Sequence, residues 1–468
     1  MVVVFVIGYV MIALEHPLKI DKAASALITG VICWVLLVLG STEILTMEFS
    51  KFQHFVDFFK WQEHVGESWS LQNHIYEVRK AFIEYELGHH LIEIGQILFF
   101  LLGAMTIVEL IDSHQGFTII TEKITTTSRV KLVWVISIIS FFFSAALDNL
   151  TAAIVMAALL TKIIKHKEDL WFFAGMVVIA ANAGGAWSPI GDITTIMLWI
   201  GGQVTALNII TSLFIPSVIC MIVPLIYLTL TMKGNVERPD LNVNGEDTKN
   251  LATKFEKKLI FFLGVGGLLF VPVFKTITHL PPFMGMTLSL GVLWLITEVL
   301  HKNKNSEIKS RLTVLGVLKK IEIPTIFFFL GILLAVGSLQ SAGHLGQVAE
   351  YLNEKVGNTW GNDTGIYVIN LAIGLLSAIV DNVPLVAGAM GMYEVSEGVF
   401  AVDGVFWEFL AYCAGTGGSC LIIGSAAGVA IMGILKIDFI WYLKKISFLA
   451  LMGYAAGAGY YVLMQSFF

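Results

Sequence analysis

The sequence predicts an all-α polytopic membrane protein built from two inverted repeats, each with five spans and one re-entrant hairpin, and with discontinuous helices at the midplane. Three observations predict it. The 468 residues are 56% hydrophobic and 14% charged, with a mean hydropathy of +0.80, whereas a soluble domain carries about 25% charged residues. The stretch Ser144-Ala-Ala-Leu-Asp148-Asn149 returns as Ser377-Ala-Ile-Val-Asp381-Asn382, 233 positions later. Gly184-Gly185 and Gly191 return as Gly417-Gly418 and Gly424 at the same offset. Finally, Lys and Arg separate onto two sides once the Asp-Asn segments are folded back on themselves.

Apolar runs of roughly 18 or more residues, long enough to cross a bilayer as helices, recur along the chain. Spans are expected at about 2–14, 23–40, 91–111, 170–200, 207–231, 259–274, 283–300, 323–341, 400–434 and 446–467. The run from Val2 to Leu14 is short, but no small-residue cleavage site follows it. It is read as a first span. Segment 41–88 has no counterpart in the second half. It is aromatic, acidic and rich in His, with Phe49, Phe52, Phe55 and Phe58 near helical spacing. Amphipathic helices on the extracytoplasmic surface are expected there.

Two apolar segments, about 130–166 and 364–394, hold the Asp-Asn pairs. The first is flanked by Lys123, Arg129 and Lys131 on one side and Lys162, Lys165 and Lys167 on the other, so both ends read as cytoplasmic. The second has Lys355 before it and only Glu394, Glu397 and Asp403 after it, so both ends read as extracytoplasmic. With both as hairpins, Lys51, Lys60, Arg79, Lys80, Lys275 and Lys355 lie outside, and the other 23 of 29 basic residues lie in the cytoplasm. An odd number of crossings per half inverts the second copy. The first repeat is then 1–231, the basic stretch 232–258 with Pro239 and Asn244-Gly245 is a cytoplasmic linker, and the second repeat is 259–468.

A re-entrant turn leaves backbone groups unpaired at low dielectric, and it survives only where protein or a wet cavity surrounds it. Asn149 and Asn382 can satisfy such groups or coordinate an ion. Asp148 and Asp381 place charge at bilayer depth, which costs about 2.5–3.5 kcal/mol and marks a functional site. Each Asp can also cap the helix that follows, and Pro384 suits that helix's first turn. The second element is Asn182-Ala-Gly-Gly-Ala-Trp-Ser188-Pro-Ile-Gly-Asp192-Ile-Thr194-Thr195, broken by glycines and a proline within about 170–200. Its copy within about 400–434 carries Thr416, Ser419 and Ser425, with Ser425 where the first has Asp192. Broken helices facing a hairpin tip form midplane ion sites. Glycine-mediated packing alone does not account for the amide, hydroxyl and carboxyl groups gathered there.

Asp148, Asp192 and Asp381 bring three carboxylates to a region where no span carries Lys or Arg. Oxygen-rich anionic sites suit hard cations or protons. Na+ is expected at Asp148, Asn149, Asp381 and Asn382, with H+ competing for the same carboxylates and no cofactor required. Glu93 and Glu322 sit near the starts of corresponding spans and are candidate proton-path residues. His89-His90, His114 and His344 are expected at span ends on the surface. The four cysteines (Cys33, Cys220, Cys413 and Cys420) lie in apolar segments without metal or redox spacing and are read as packing residues. The chain shows no HExxH, Cys-His or GxSxG arrangement, so an enzyme is not expected. Nor does it suggest a nucleic-acid partner.

The paired SA-x-x-DN tips, the broken NAGGAWSPIGDITT and GTGGS helices and the opening ALEHPLKIDKAASAL resemble the NhaD-type sodium/proton antiporters of the ion transporter superfamily, over essentially the whole chain. The resemblance implies expulsion of Na+ and Li+ driven by inward H+ movement in a bacterial inner membrane. It also implies a homodimer with a scaffold part and a transport part holding both hairpins. The family's polar pattern maps onto Glu93, Ser144, Asp148, Asn149, Asn182, Asp192, Thr194, Thr195, Ser377, Asp381, Asn382, Ser419 and Ser425. The rival reading is an anion transporter of the same superfamily, for dicarboxylates, arsenite or sulfate, against which the carboxylates argue.

Overall fold

A computed structural model describes residues 1–46, 50–62, 71–121, 124–239, 252–360 and 362–467. Phe49, Lys123 and Asn244-Gly245 lie outside the described residues. Among those described, nine helices are long and apolar enough to cross a membrane, which makes this a multi-pass membrane protein.

In chain order the principal helices of the first half are α1 (Val2–Ala13), α2 (Lys22–Leu39), α3 (Ser50–Gln62), α4 (Leu71–Ser113), α5 (Arg129–Leu147), α6 (Asn149–Ile163), α7 (Lys167–Ala186), α8 (Ile193–Ile200) and α9 (Ala206–Thr231). The second half adds α10 (Lys254–Thr278), α11 (Pro282–His301), α12 (Ile323–Ser341), α13 (His344–Trp360), α14 (Asn362–Ser377), α15 (Asn382–Met392), α16 (Val405–Gly417), α17 (Ala426–Leu435), α18 (Phe439–Lys445) and α19 (Ser447–Gln465). They form two compact units. One holds residues 1–98, 322–362 and 387–394, and the other holds 99–321, 363–386 and 395–468.

The first unit corrects the reading of segment 41–88. A boundary was expected between surface helices and a span beginning near residue 91. Instead α4 runs without a break for 43 residues. Gly88, His89 and His90 lie inside it, because one glycine costs a helix only about 1 kcal/mol and its neighbours favour helix. Nor does the segment merely lie on a surface. Phe52 and Val56 of α3 pack with Val78 and Phe82 of α4 and with Trp34 and Leu37 of α2 in one core. The first span is also short: α1 has 12 residues, against about 20 for a crossing.

The first Asp-Asn segment is a pair of helices joined at the Asp, whereas in the second α14 ends at Ser377 and residues 378–381 lead to α15 at Asn382. Helix α5 ends at Leu147 and α6 begins at Asn149, with Asp148 between them at φ +120°. The far ends of this pair come together. The Arg129 amide donates to Gly234 O at 3.2 Å, the Val236 amide to Thr127 O at 2.7 Å, and the Lys165 amide to Glu237 O at 3.0 Å. The Lys165 ammonium and His166 Nε2 reach the Glu237 carboxylate at 2.8 and 2.6 Å. These partners hold the Glu237 carboxyl below its ordinary range, Lys165 most strongly.

Both broken segments form, each a few residues beyond or at its glycine pair. Helix α7 stops at Ala186 and α8 starts at Ile193; α16 stops at Gly417 and α17 starts at Ala426. The contacts repeat at the same 233-residue offset. A Cβ on Gly184 would collide with the backbone of Phe141, and a Cβ on Gly417 with the backbone of Gly374. Gly184→Ala and Gly417→Ala are therefore expected to destabilise the detergent-solubilised protein by about 1–3 kcal/mol each. Gly88→Ala should be neutral or slightly stabilising, since no atom lies within 4 Å of its would-be Cβ. Thermal unfolding followed by tryptophan fluorescence checks this. Equal midpoints in all three variants would contradict it.

Candidate functional site

The residues drawn together by these breaks centre on Asp192, which is 1% exposed. Asp192 precedes α8 with extended backbone, and its Oδ1 accepts from the Thr194 amide at 2.9 Å and from the Thr194 hydroxyl at 2.7 Å. Its Oδ2 accepts from Asn149 Nδ2 at 2.5 Å. Asn382 Nδ2, from the other tip, lies 3.5 Å from Oδ1. The asparagines of both tips therefore converge on one carboxylate, and all four of these donors are uncharged.

A second layer continues from Asn182 of α7. Its Oδ1 accepts from Asn149 Nδ2 at 3.2 Å. Its Nδ2 lies 2.9 Å from both the Ser419 and the Ser425 hydroxyl oxygens. Ser425 occupies the position of Asp192 in the second copy and likewise caps its helix, accepting from the Gly428 amide at 3.2 Å. Asn149, Asn182, Asp192, Thr194, Asn382, Ser419 and Ser425 thus form one buried network. The Thr195 hydroxyl beside it is buried and has no hydrogen-bond partner among the described residues.

Other sequence-predicted residues do different work. Asp148 turns back to cap α6: Oδ1 accepts from the Thr151 amide at 2.8 Å and Oδ2 from its hydroxyl at 2.9 Å. The Asp381 carboxylate accepts from the Val383 amide at 3.2 Å. Both tip aspartates are half-buried. Ser144 donates to Gly191 O at 3.3 Å and Ser188 to Ala145 O at 2.6 Å, fastening the first tip to the broken helix. Ser377 donates to Gly374 O at 2.8 Å and Ala414 O at 3.1 Å, and Thr416 to Tyr412 O within its own helix at 2.6 Å. Glu93 and Glu322 belong to the other compact unit, and both are exposed.

Glu408 escaped notice in the sequence. It is 4% exposed, and its carboxylate accepts from Asn208, from Ser212 at 3.0 Å and from Tyr461 at 2.5 Å. These bonds tie α16 to α9 and α19. The available signal was one acid inside the apolar stretch Trp407-Glu408-Phe409. The surface expectation fails for two histidines: His90 is 7% exposed and His114 fully buried. His114 Nε2 lies 2.8 Å from Nε2 of the equally buried His301. His89 is exposed as expected, and His344 is half-buried.

Residues 2–407 match the family described as citrate transporter. Two Arabidopsis thaliana proteins, sodium/proton antiporter 1 and sodium/proton antiporter 2, are 42% and 41% identical to this chain. Both alignments cover 100% of it, with 72% of the first and 100% of the second. The Na+/H+ antiporter NhaD of Vibrio parahaemolyticus is 32% identical over 82% of this chain and 92% of its own length.

Proposed function

The chain belongs to the NhaD-type sodium/proton antiporter family, within the group described as citrate transporters, and from that premise we propose that it is a secondary transporter exchanging cytoplasmic Na+ and Li+ for external H+ at Asp192. One observation carries the assignment to that residue. A carboxylate buried at the junction of two helix breaks is approached by the asparagines of both tips, and all its hydrogen-bond donors among the described residues are uncharged. Such a carboxylate needs a cation or a proton as its counter-charge. The carbonyl oxygens of Asn149 and Asn382 and the unpartnered Thr195 hydroxyl are the further oxygens that a hard cation takes. Because one carboxylate serves both ions, binding one expels the other, and exchange becomes obligatory. An anionic substrate would meet this charge unfavourably.

The same proposal includes the inverted duplication, 1–231 against 259–468 around the linker 232–258. The recurrence of glycine contacts and helix caps at one offset supports the duplication. The meeting of both ends of 130–166 on residues 234–237 supports a re-entrant hairpin there. The homodimer and the elevator-like division into scaffold and transport parts rest on the family resemblance, and the role of Glu93 and Glu322 on the proton path rests on their places near the starts of corresponding spans. A monomeric mass in lipid nanodiscs would remove the dimer from the reading. Bacterial NhaD relatives support a bacterial inner membrane as the home of the exchange, whereas the Arabidopsis relatives extend the setting to any membrane carrying a proton gradient. Fractionation of the native host tests this, and recovery outside an energised membrane would refute it.

The decisive experiment is dequenching of a pH dye in proteoliposomes on adding Na+, Li+ or K+. Na+ and Li+ are expected to move protons. Anion uptake without cation-dependent proton movement would instead favour the anion carrier. Single-proton competition also fixes the sign of the pH effect. Over the range where H+ outcompetes Na+, each unit rise in cytoplasmic-side pH should lower the apparent KM for Na+ about tenfold. A KM independent of pH with changing maximal rate would place the proton elsewhere.

A further inference from the structure

We propose that His89, His90 and Glu93 of α4 form a binding site for a divalent transition-metal ion of Zn2+ type, separate from the transport site. The sequence H-H-x-x-E puts His90 and Glu93 at i, i+3 and His89 and Glu93 at i, i+4, so Glu93 lies on the helix surface beside both histidines. His89 Nδ1 lies 3.7 Å from one Glu93 oxygen and His90 Nδ1 3.8 Å from the other. These gaps are too long for hydrogen bonds. They are close to what a shared ion sets: ligand atoms each about 2.1 Å from Zn2+ at a tetrahedral angle are roughly 3.4 Å apart. One ligand atom from each residue can be chosen so that all three lie within 4.8 Å of one another.

The surroundings are built as a metal-binding histidine needs. His90 Nε2, on the far side of the ring, lies 3.1 Å from the Ser341 hydroxyl. That hydroxyl donates to the Glu86 carboxylate at 2.7 Å, and the Lys51 ammonium holds the carboxylate at 2.6 Å. The Ser341 hydroxyl, donating its one proton to Glu86, therefore accepts a hydrogen bond from His90 Nε2–H. This fixes the tautomer that leaves Nδ1 unprotonated toward Glu93. Such a relay to a carboxylate is the usual outer support of a metal-ligating histidine. Gly337 leaves room for the ring, since a Cβ there would press on the imidazole. Tyr85 stacks against His89 at 6.4 Å between centroids, limiting its motion. His89 and Glu93 remain exposed, so an ion can enter from outside the helix packing and keep a water as its fourth ligand. Nitrogen-plus-carboxylate ligation without thiolate suits Zn2+, Co2+ or Ni2+ over Ca2+ or Mg2+. The relay passes from α3 through Glu86 to Ser341 of α12, so it links three helices of the first unit behind the ion site.

The test is titration of the untagged full-length protein in detergent with Co2+, read by its visible d–d absorption, and with Zn2+, read by thermal shift. One equivalent of tetrahedral-type Co2+ bands, displaced by Zn2+, is expected in the wild type, with a rise in unfolding temperature. His89→Ala and Glu93→Gln, both at exposed positions, should abolish the bands and the shift. Ser341→Ala, which leaves the ligands in place, should weaken binding about 10–100-fold. Wild-type binding that survives His89→Ala and Glu93→Gln, or no saturable binding at all, overturns the proposal. Octahedral Co2+ spectra with Zn2+ displacement unaffected by Ser341→Ala would overturn the relay.

Discussion

Asp192→Asn is expected to reduce Na+-dependent proton exchange to background while the protein still inserts and unfolds at a similar temperature. The substitution conserves shape and keeps an oxygen for the Thr194 amide, so α8 retains its cap. It removes only the charge. Taking one partner from a buried ion pair costs about 3–5 kcal/mol, which is roughly 10² to 4 × 10³-fold in ion affinity. Asn149 would then face an amide in place of the carboxylate it meets at 2.5 Å. Dye dequenching in proteoliposomes, with protein quantified after reconstitution, measures the loss. Exchange at more than a tenth of the wild-type rate would remove Asp192 from the centre of the mechanism. Ser425→Ala is the paired control: it deletes a hydroxyl from the same network without altering charge and should cost far less.

Asp148→Asn is expected to lose at least ~10-fold in exchange, about 1.4 kcal/mol, and Asp381→Asn a comparable amount. The geometry makes the first substitution discriminating. Asp148 caps α6 through Thr151, and Asn caps a helix about as well as Asp. It also tolerates positive φ better than most residues. A role confined to capping therefore predicts unchanged transport. A residue held at φ +120° carries on the order of 1–3 kcal/mol of strain, a cost that recurs where function holds a backbone in place. Asp381, its repeat counterpart, is not among the described non-glycine residues with positive φ. Initial rates of dye dequenching at saturating Na+ decide the matter. Wild-type rates in Asp148→Asn would leave this carboxylate as a helix cap and nothing more.

Much of the arrangement was legible in the sequence because it rests on backbone chemistry. Pro189 cannot continue a helix, and α7, which carries Gly184 and Gly185 in its last turn, ends at Ala186 just before it. The recurrence at 233 positions foretold the second break at Gly418. What the sequence hid was direction. Spacing shows that Asp148, Asp192 and Asp381 share a neighbourhood, but not that the tip asparagines would turn to Asp192 while the tip aspartates turn to their own helices. That choice depends on backbone angles a few residues long. Glu408 stayed hidden because its partners, Asn208, Ser212 and Tyr461, are far away in the chain. His90 and His114 were misplaced because a span end looks exposed in one dimension, whereas α4 runs through His90, and His114, just past its end, packs against His301.

The close seating of Gly184 on Phe141 and of Gly417 on Gly374 has a mechanical consequence. Backbone resting on backbone leaves no compliant layer of side chains, so each tip helix and the broken helix beside it resist shear as one stiff block. The shell around Asp192 can then keep its spacing throughout a cycle. In the exchange proposed above, the deformation that admits and releases the ion is expected at the edges of that block.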